Sequence, residues 1–171
     1  MDLHQLNILD SKISEGLRVP SSQPGLRRAA ALFAHSADSW FWLAGLIPLY
    51  FIGPSRWKPL LLKLIIGTIV TAAFVLTLKK TIKRPRPEGE WGKIYRSTDP
   101  HSFPSGHAAR AVMLSVIVFL SGRAWIGLGM ILWASGVSLG RIALGVHYVM
   151  DILGGILIGI LFGLGIFYIV G

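Results

Sequence analysis

The composition of this chain excludes an ordinary soluble domain. Of its 171 residues, 53% are hydrophobic, and Lys and Arg outnumber Asp and Glu by 17 to 8. The chain has no cysteine, which excludes disulfides and thiolate metal sites. Such a composition is typical of a polytopic membrane protein. Seven basic residues fall within positions 79–96, between two hydrophobic stretches, so a lipid phosphate is the expected acidic partner and nucleic acid is not.

The N-terminal region predicts two amphipathic helices within residues 1–37. Its first residues are polar and lack a basic region followed by an apolar core, so no cleavable signal peptide is expected. Apolar residues recur at spacings of three and four over positions 3–18, and a second helical stretch begins at Leu26 after a break at 20–25. The first helix could lie on the membrane surface or pack on the protein, and the pattern fits both.

Five hydrophobic stretches follow, and they predict an all-α, polytopic bundle of about five transmembrane helices. They cover residues 39–53, about 60–78, 105–121, 124–140 and about 148–170. The first is short for a hydrocarbon core of about 30 Å, and the last is rich in glycine, which permits close helix contact in lipid. We assign the whole chain, 1–171, to one membrane-integral domain with its transmembrane core at 39–171 and a polar active-site loop at 79–104.

The topology of five spans brings the polar segments to one membrane face. The third and fourth spans form a hairpin, so segments 79–104 and 141–147 emerge together, and the N-terminal region shares their side. Loops rich in Lys and Arg usually lie on the cytoplasmic side of a membrane. We leave the basic loop at 79–104 out of this comparison, because we expect its cations to serve the site. The short links with Arg56, Lys58 and Arg123 then make the C-terminal face cytoplasmic and the polar face extracytoplasmic.

The polar segments contain the residues of a phosphate-handling site. His147 and Asp151 lie four apart in a helix, so the carboxylate can orient one ring nitrogen and leave the other as a nucleophile; alone, such a pair could equally be structural. His107 is a second imidazole, able to protonate a leaving alkoxide. Ser105 and Gly106 precede a predicted helix, where free N–H groups and the helix dipole favour an anion.

Three cations complete this constellation, and its motifs resemble the type-2 phosphatidic acid phosphatase superfamily. Lys79, Arg86 and Arg141 can bind the non-bridging oxygens of a phosphate. The family pattern consists of Lys-x6-Arg-Pro, Pro-Ser-Gly-His and Ser-Arg-x5-His-x3-Asp. The chain has Lys79 with Arg86-Pro87, then Pro104 to His107, then Arg141, His147 and Asp151. One departure is Gly140, which stands where the family has serine; Ser138 could replace the lost hydroxyl.

The resemblance implies a lipid phosphatase that works through a phosphohistidine. It implies that His147 is the nucleophile, Asp151 its orienting partner, and His107 the acid and then the base. It further implies a phosphate-binding set, which is Lys79, Arg86, Ser105, Gly106 and Arg141. No metal or other cofactor is expected, since Glu88, Glu90 and Asp99 are scattered and Asp151 is already used.

The motifs do not identify the lipid, because they contact only the phosphoryl group. Bacterial members of the family act on undecaprenyl diphosphate, phosphatidylglycerophosphate or lipid A 1-phosphate, and we favour undecaprenyl diphosphate, in the bacterial inner (plasma) membrane. A lipid phosphotransferase using the same site is the alternative enzyme. A non-catalytic lipid-phosphate binder is disfavoured, because binding does not need two histidines. The sequence leaves the oligomeric state open.

Other charged residues are less informative. Three basic residues could attract anionic headgroups or simply form a solvated rim: Lys80, Lys83 and Arg84. Arg110, one turn after His107, could face the site or reach the headgroups. His101 could be a third histidine of the site, but it is interpreted as an exposed loop residue, and no role is assigned to His4 or His35.

Overall fold

A computed structural model of the chain describes residues 2–89 and 99–170. Its helices are α1 (Leu3–Gly16), α2 (Pro24–His35), α3 (Ser39–Ile52), α4 (Lys58–Ile82), α5 (Gly106–Leu120), α6 (Ala124–Ala143) and α7 (Val149–Ile169), with a 3-10 turn at Ser55–Trp57 before α4. The predicted all-α fold is confirmed. Residues 90–98 of the expected loop, including Glu90, lie outside the described residues.

The five hydrophobic stretches correspond to helices α3 to α7. Three segments are long and apolar enough to cross a membrane: Ser55–Ile82, α6 and α7. Helices α3 and α5 have only 14 and 15 residues, which at 1.5 Å per residue is about 22 Å, against a hydrocarbon core of about 30 Å.

Helix α5 is the centre of the bundle and packs against α4, α6 and α7. Glycines on α7 make its contact with α5 very close. A Cβ atom on Gly155 would lie 2.6 Å from the Ser105 carbonyl oxygen, and one on Gly159 would lie 2.5 Å from that of Ala109. Internal packing against α5 thus accounts for these glycines of the last span, because small residues let helix backbones approach in lipid.

Helix α1 packs on the protein through its polar side. Asp10 and Ser14 are buried, with only 4% and 2% of their surface exposed, whereas Ile8, Leu9 and Ile13 are 45–48% exposed. The two interpretations of this helix are therefore compatible: its polar face contacts the protein and its apolar face is directed outward, as suits a helix at a membrane surface.

Candidate active site

The residues expected to form the site meet at one end of the bundle. Lys79 is in the last turn of α4, Ser105 and His107 are at the start of α5, Arg141 is at the end of α6, and Asp151 is in the first turn of α7. Arg86 lies in the link after α4, and His147 in the link before α7. Most of this set is buried, and Arg141, His147 and Asp151 are at most 1% exposed.

His147 and Asp151 form the pair that their spacing predicts. The His147 Nδ1 atom lies 3.4 Å from Asp151 Oδ2, and the same oxygen accepts a 2.8 Å hydrogen bond from the Tyr148 backbone N–H. The other ring nitrogen, Nε2, lies 3.2 Å from Arg86 Nη1. With Nδ1–H donated to the carboxylate, the lone pair of Nε2 is directed toward the cations.

The environment of His147 keeps its imidazole neutral. Burial lowers the pKa of His147 well below 6.5, and the positive charges of Arg141, Arg86 and Lys79 lower it further. A neutral imidazole is the form that a nucleophilic attack requires. The electrostatics and the orientation by Asp151 therefore favour the same protonation state.

Asp99 holds two of the cations in place. Its Oδ2 atom lies 2.5 Å from Lys79 Nζ and 2.7 Å from Arg86 Nη2. Backbone carbonyls hold them further: Lys79 donates to the His101 carbonyl at 2.9 Å, and Arg86 donates to those of Asp99 at 2.6 Å and Val146 at 2.8 Å. Cations held in this way are preorganised to bind phosphate oxygens.

Ser105 and Gly106 begin α5 as the sequence predicted. Ser105 is the N-cap residue, with its hydroxyl 3.5 Å from the Ala108 N–H, and Gly106 is the first residue of the helix. The Ser105 N–H donates to the Asp151 carbonyl oxygen at 2.9 Å. This bond ties the start of α5 to the helix that carries Asp151.

His107 has a carboxylate partner that the sequence analysis missed. Its Nε2 atom lies 2.6 Å from Asp38 Oδ1, at the N-cap of α3. Burial by itself raises the pKa of Asp38, but the hydrogen bond with His107 and the positive charges nearby outweigh it, so the net pKa is lowered and the carboxylate stays ionised. Burial and the charge of Arg141 lower the pKa of His107 itself to about 3, although the Asp38 hydrogen bond acts in the opposite direction, so this imidazole is neutral before substrate binds. The two residues are 69 positions apart, and no local pattern connects them.

Two secondary expectations change with the structure. Arg110 does not reach the headgroups: it is buried and donates to the Ala37 carbonyl oxygen, next to Asp38, and its charge acts on His107. Arg84 is not part of a solvated rim, because its side chain is only 16% exposed and pairs with Asp10 and Asp151. Arg84 and Arg86 are two residues apart in a non-helical segment, and that alternation was the available signal that both face inward.

Gly140 faces another helix. A Cβ atom there would lie 2.7 Å from the Ala30 carbonyl oxygen of α2, so the serine that the family pattern has at this position would collide with backbone. Ser138, the suggested replacement, lines an apolar cavity of about 670 Å³ between α5, α6 and α7. The close contact of α2 with α6 thus explains the departure from the pattern.

Comparison with known proteins places the chain in a family. The model of the PAP2 superfamily matches residues 60–171. The chain belongs to the PAP2 superfamily. A curated PAP2 relative, phosphatidylglycerophosphatase B of Bacillus subtilis (strain 168), is 30% identical in an alignment of 154 residues that covers 81% of this chain and 72% of the relative. The predicted family and the predicted class of enzyme, a phosphatase, are both confirmed.

Two solved structures share the fold. The transmembrane PAP2-type phosphatidylglycerolphosphate phosphatase from Bacillus subtilis has a TM-score of 0.77 and 23% identity, covering 95% of this chain and 84% of the other. The LpxE protein of Aquifex aeolicus has a TM-score of 0.65 and 26% identity, covering 91% of each chain. Together with the apolar helices, this similarity identifies an integral membrane protein of the PAP2 lipid phosphatase family.

Proposed function

We propose that this PAP2 protein hydrolyses lipid phosphates through a phosphohistidine formed on His147, without a metal ion. The observation that carries the proposal is the state of His147. Its Nδ1 atom is oriented by Asp151, its pKa is depressed, and its Nε2 atom lies beside Arg86. A neutral, oriented imidazole next to cations has what an in-line attack on a phosphoryl group needs.

In the first step, His147 Nε2 attacks phosphorus and the bond from phosphorus to the lipid oxygen breaks. The neutral His107 first accepts a proton from the monoanionic phosphate of the bound substrate. The leaving oxygen then takes this proton from His107, so that an alcohol departs, or a phosphate if the substrate is a diphosphate. Lys79, Arg86 and Arg141 stabilise the charge on the equatorial oxygens, with the Ser105 hydroxyl and Gly106 N–H as further donors.

In the second step, water hydrolyses the phosphohistidine. His107 is now neutral and accepts a proton as the water oxygen attacks phosphorus, which releases inorganic phosphate and restores His147. The Asp38 carboxylate, 2.6 Å from His107 Nε2, stabilises the imidazolium that forms. The products are the dephosphorylated lipid and phosphate; the proton on His107 leaves with the phosphate, and both histidines return to their starting, neutral states.

Metal independence is supported by the partners of the carboxylates. Asp99 is paired with Lys79 and Arg86, and Asp151 is paired with Arg84. Cations of the protein thus compensate the negative charge at the site, which is the role that magnesium has in many phosphoryl-transfer enzymes.

For the lipid, phosphatidylglycerophosphate is the first candidate, since the curated PAP2 relative is named for it. Undecaprenyl diphosphate, favoured by the sequence analysis, is the second, and lipid A 1-phosphate the third. The apolar cavity beside α5, α6 and α7 reaches Ile142 and Ile152, close to the site, and is suited to a lipid chain. We place the protein in the bacterial plasma membrane with its site on the extracytoplasmic face.

The test is phosphate release by purified protein in detergent with EDTA, offered each of these three lipids and phosphatidic acid. We expect release from at least one lipid, loss of release in His147→Ala, and no loss in Lys80→Gln, which removes an exposed cation at the end of α4. Activity that survives His147→Ala contradicts the nucleophile, and activity that needs an added divalent metal contradicts metal independence. Added lipid alcohol or sugar acceptors distinguish the transferase, which would give a phosphorylated acceptor in place of phosphate.

A further inference from the structure

The start of α7, the helix that carries Asp151, is held by side chains of α1. The Ser14 hydroxyl oxygen accepts a 2.9 Å hydrogen bond from the Val149 N–H, and Asp10 Oδ1 accepts one of 3.1 Å from the Met150 N–H. N–H groups in the first turn of a helix have no partner within the helix. A separate helix, more than 130 residues away in the chain, thus supplies two acceptors next to the catalytic pair.

Arg84 connects these two helices. Its Nη1 atom lies 2.7 Å from Asp151 Oδ1, and its Nη2 atom lies 2.7 Å from Asp10 Oδ2. Nη2 also lies 3.3 Å from Asn7 Oδ1, and the guanidinium is 4.3 Å from the centre of the Tyr148 ring. One arginine therefore bridges a carboxylate of α1 and a carboxylate of α7.

The Asp151 carboxylate has Arg84 as its charged partner and also accepts a hydrogen bond from the Ser102 side chain. Its Oδ2 atom accepts from the Tyr148 N–H and lies beside His147 Nδ1, while Oδ1 accepts from Arg84. A carboxylate held on both oxygens has no freedom to rotate away from the histidine that it orients. Both carboxylates are buried, with Asp10 4% and Asp151 0% exposed, so removing Arg84 leaves two uncompensated buried charges.

We propose that Arg84 is a positioning residue for the His147–Asp151 pair, and that α1 holds it in place through Asp10. The inference rests on the proposed function, because it matters only if His147 is the nucleophile. Arg84 is separate from the phosphate-binding set by its position: it contacts Asp151 Oδ1, the oxygen that does not face His147, whereas Arg86 lies beside the attacking Nε2 atom.

A positioning role and a phosphate-binding role differ in the kinetic constant that they change. We expect Arg84→Ala to lower kcat by roughly 10- to 100-fold, the range found when a group that orients a catalytic ligand is lost. We expect KM and the inhibition constant of inorganic phosphate to stay within about twofold. Arg84→Lys, which keeps the charge but not the two-pronged geometry, should retain part of the lost kcat. Lys80→Gln is the matched control.

Chemical rescue gives a readout that a general loss of structure would not give. Added guanidinium at millimolar concentration should restore part of the kcat of Arg84→Ala and should not change that of wild type or of Lys80→Gln. The melting temperature of each variant, measured in the same detergent, shows whether the protein is folded.

The contribution of α1 is tested separately with Asp10→Asn combined with Ser14→Ala. This double variant should lower kcat without changing phosphate inhibition, and its effect should be less than additive with that of Arg84→Ala, because the residues act through one network. Glu15→Gln, an exposed carboxylate on the same helix, is the control.

Two outcomes overturn the inference: an unchanged kcat in folded Arg84→Ala, or a loss confined to KM and phosphate inhibition. If Arg84→Ala does not fold, Arg84→Lys and the α1 variant are judged by the same criteria. Failure of the proposed function would be recognised in a different variant, because His147→Ala would then retain activity. An inactive His147→Ala beside a fully active Arg84→Ala would refute the positioning role alone.

Discussion

The Asp38–His107 contact leads to a kinetic test of the second half of the reaction. Asp38→Asn removes the negative charge but keeps an oxygen able to accept from His107 Nε2, at present 2.6 Å away. A hydrogen bond to a charged group contributes about 1.5 to 3 kcal/mol. Because the Asp38 side chain is 24% exposed, solvent screening favours the lower value. About 1.5 kcal/mol corresponds to a loss in kcat of roughly tenfold.

The loss should fall on hydrolysis of the phosphohistidine, because there His107 has to gain a proton. We therefore expect Asp38→Asn to accumulate phosphoenzyme, and Asp38→Ala, which also removes the acceptor oxygen, to lose roughly a hundredfold in kcat. The assay is steady-state turnover together with an alkaline quench that preserves phosphohistidine, with Glu15→Gln as the control. A kcat for Asp38→Asn within twofold of wild type, with no rise in phosphoenzyme, would refute the reasoning.

Two further expectations concern stability. Gly140→Ser should lower the free energy of unfolding by about 1–3 kcal/mol through overpacking, since the new Cβ would lie 2.7 Å from the Ala30 carbonyl oxygen. The control is Gly129→Ala, on the same helix. It has open space around it and should be neutral or stabilising. Equal thermal stability of the two variants in detergent would contradict the packing of α2 on α6. In the folded protein the pKa of His147 is below 6.5. As the pH falls below about 6.5, the unfolded chain therefore binds more protons at this residue than the folded chain does. The free energy of unfolding should then decline by up to about 1.4 kcal/mol per pH unit. Melting curves between pH 7 and pH 5 should show a shallower decline in His147→Gln, and an equal decline in both proteins would argue against a neutral, buried His147.

The sequence predicted the features of the fold and of the site that depend on residues close together in the chain. Hydrophobic stretches of spanning length and turn-forming segments between them predicted α3 to α7 within a few residues. The four-residue spacing of His147 and Asp151 predicted their contact, since a helix brings such positions together. Three motifs in order predicted the family, because each has residues suited to one part of phosphoryl transfer.

The tertiary structure alone decided which distant residues support these motifs. Three of these supporting residues lie far from the motifs in sequence: Asp38, Asp10 and Ser14. The sequence pattern described Asp38 only as the residue before a span, and it described Asp10 and Ser14 only as part of an amphipathic helix. Their contacts depend on how α1 packs on α7, α2 on α6 and α3 on α4, which periodicity does not encode.

Arg84 and Gly140 show the same division between sequence and structure. Composition identified Arg84 as one more cation in a basic segment, but only the fold shows both carboxylates that it bridges. The motif identified Gly140 as a missing serine, but only the packing of α2 shows the backbone oxygen that a side chain would meet. The chain's order of residues determined the chemistry available at the site, whereas the approach of separate helices determined which charges are compensated and which side chains fit.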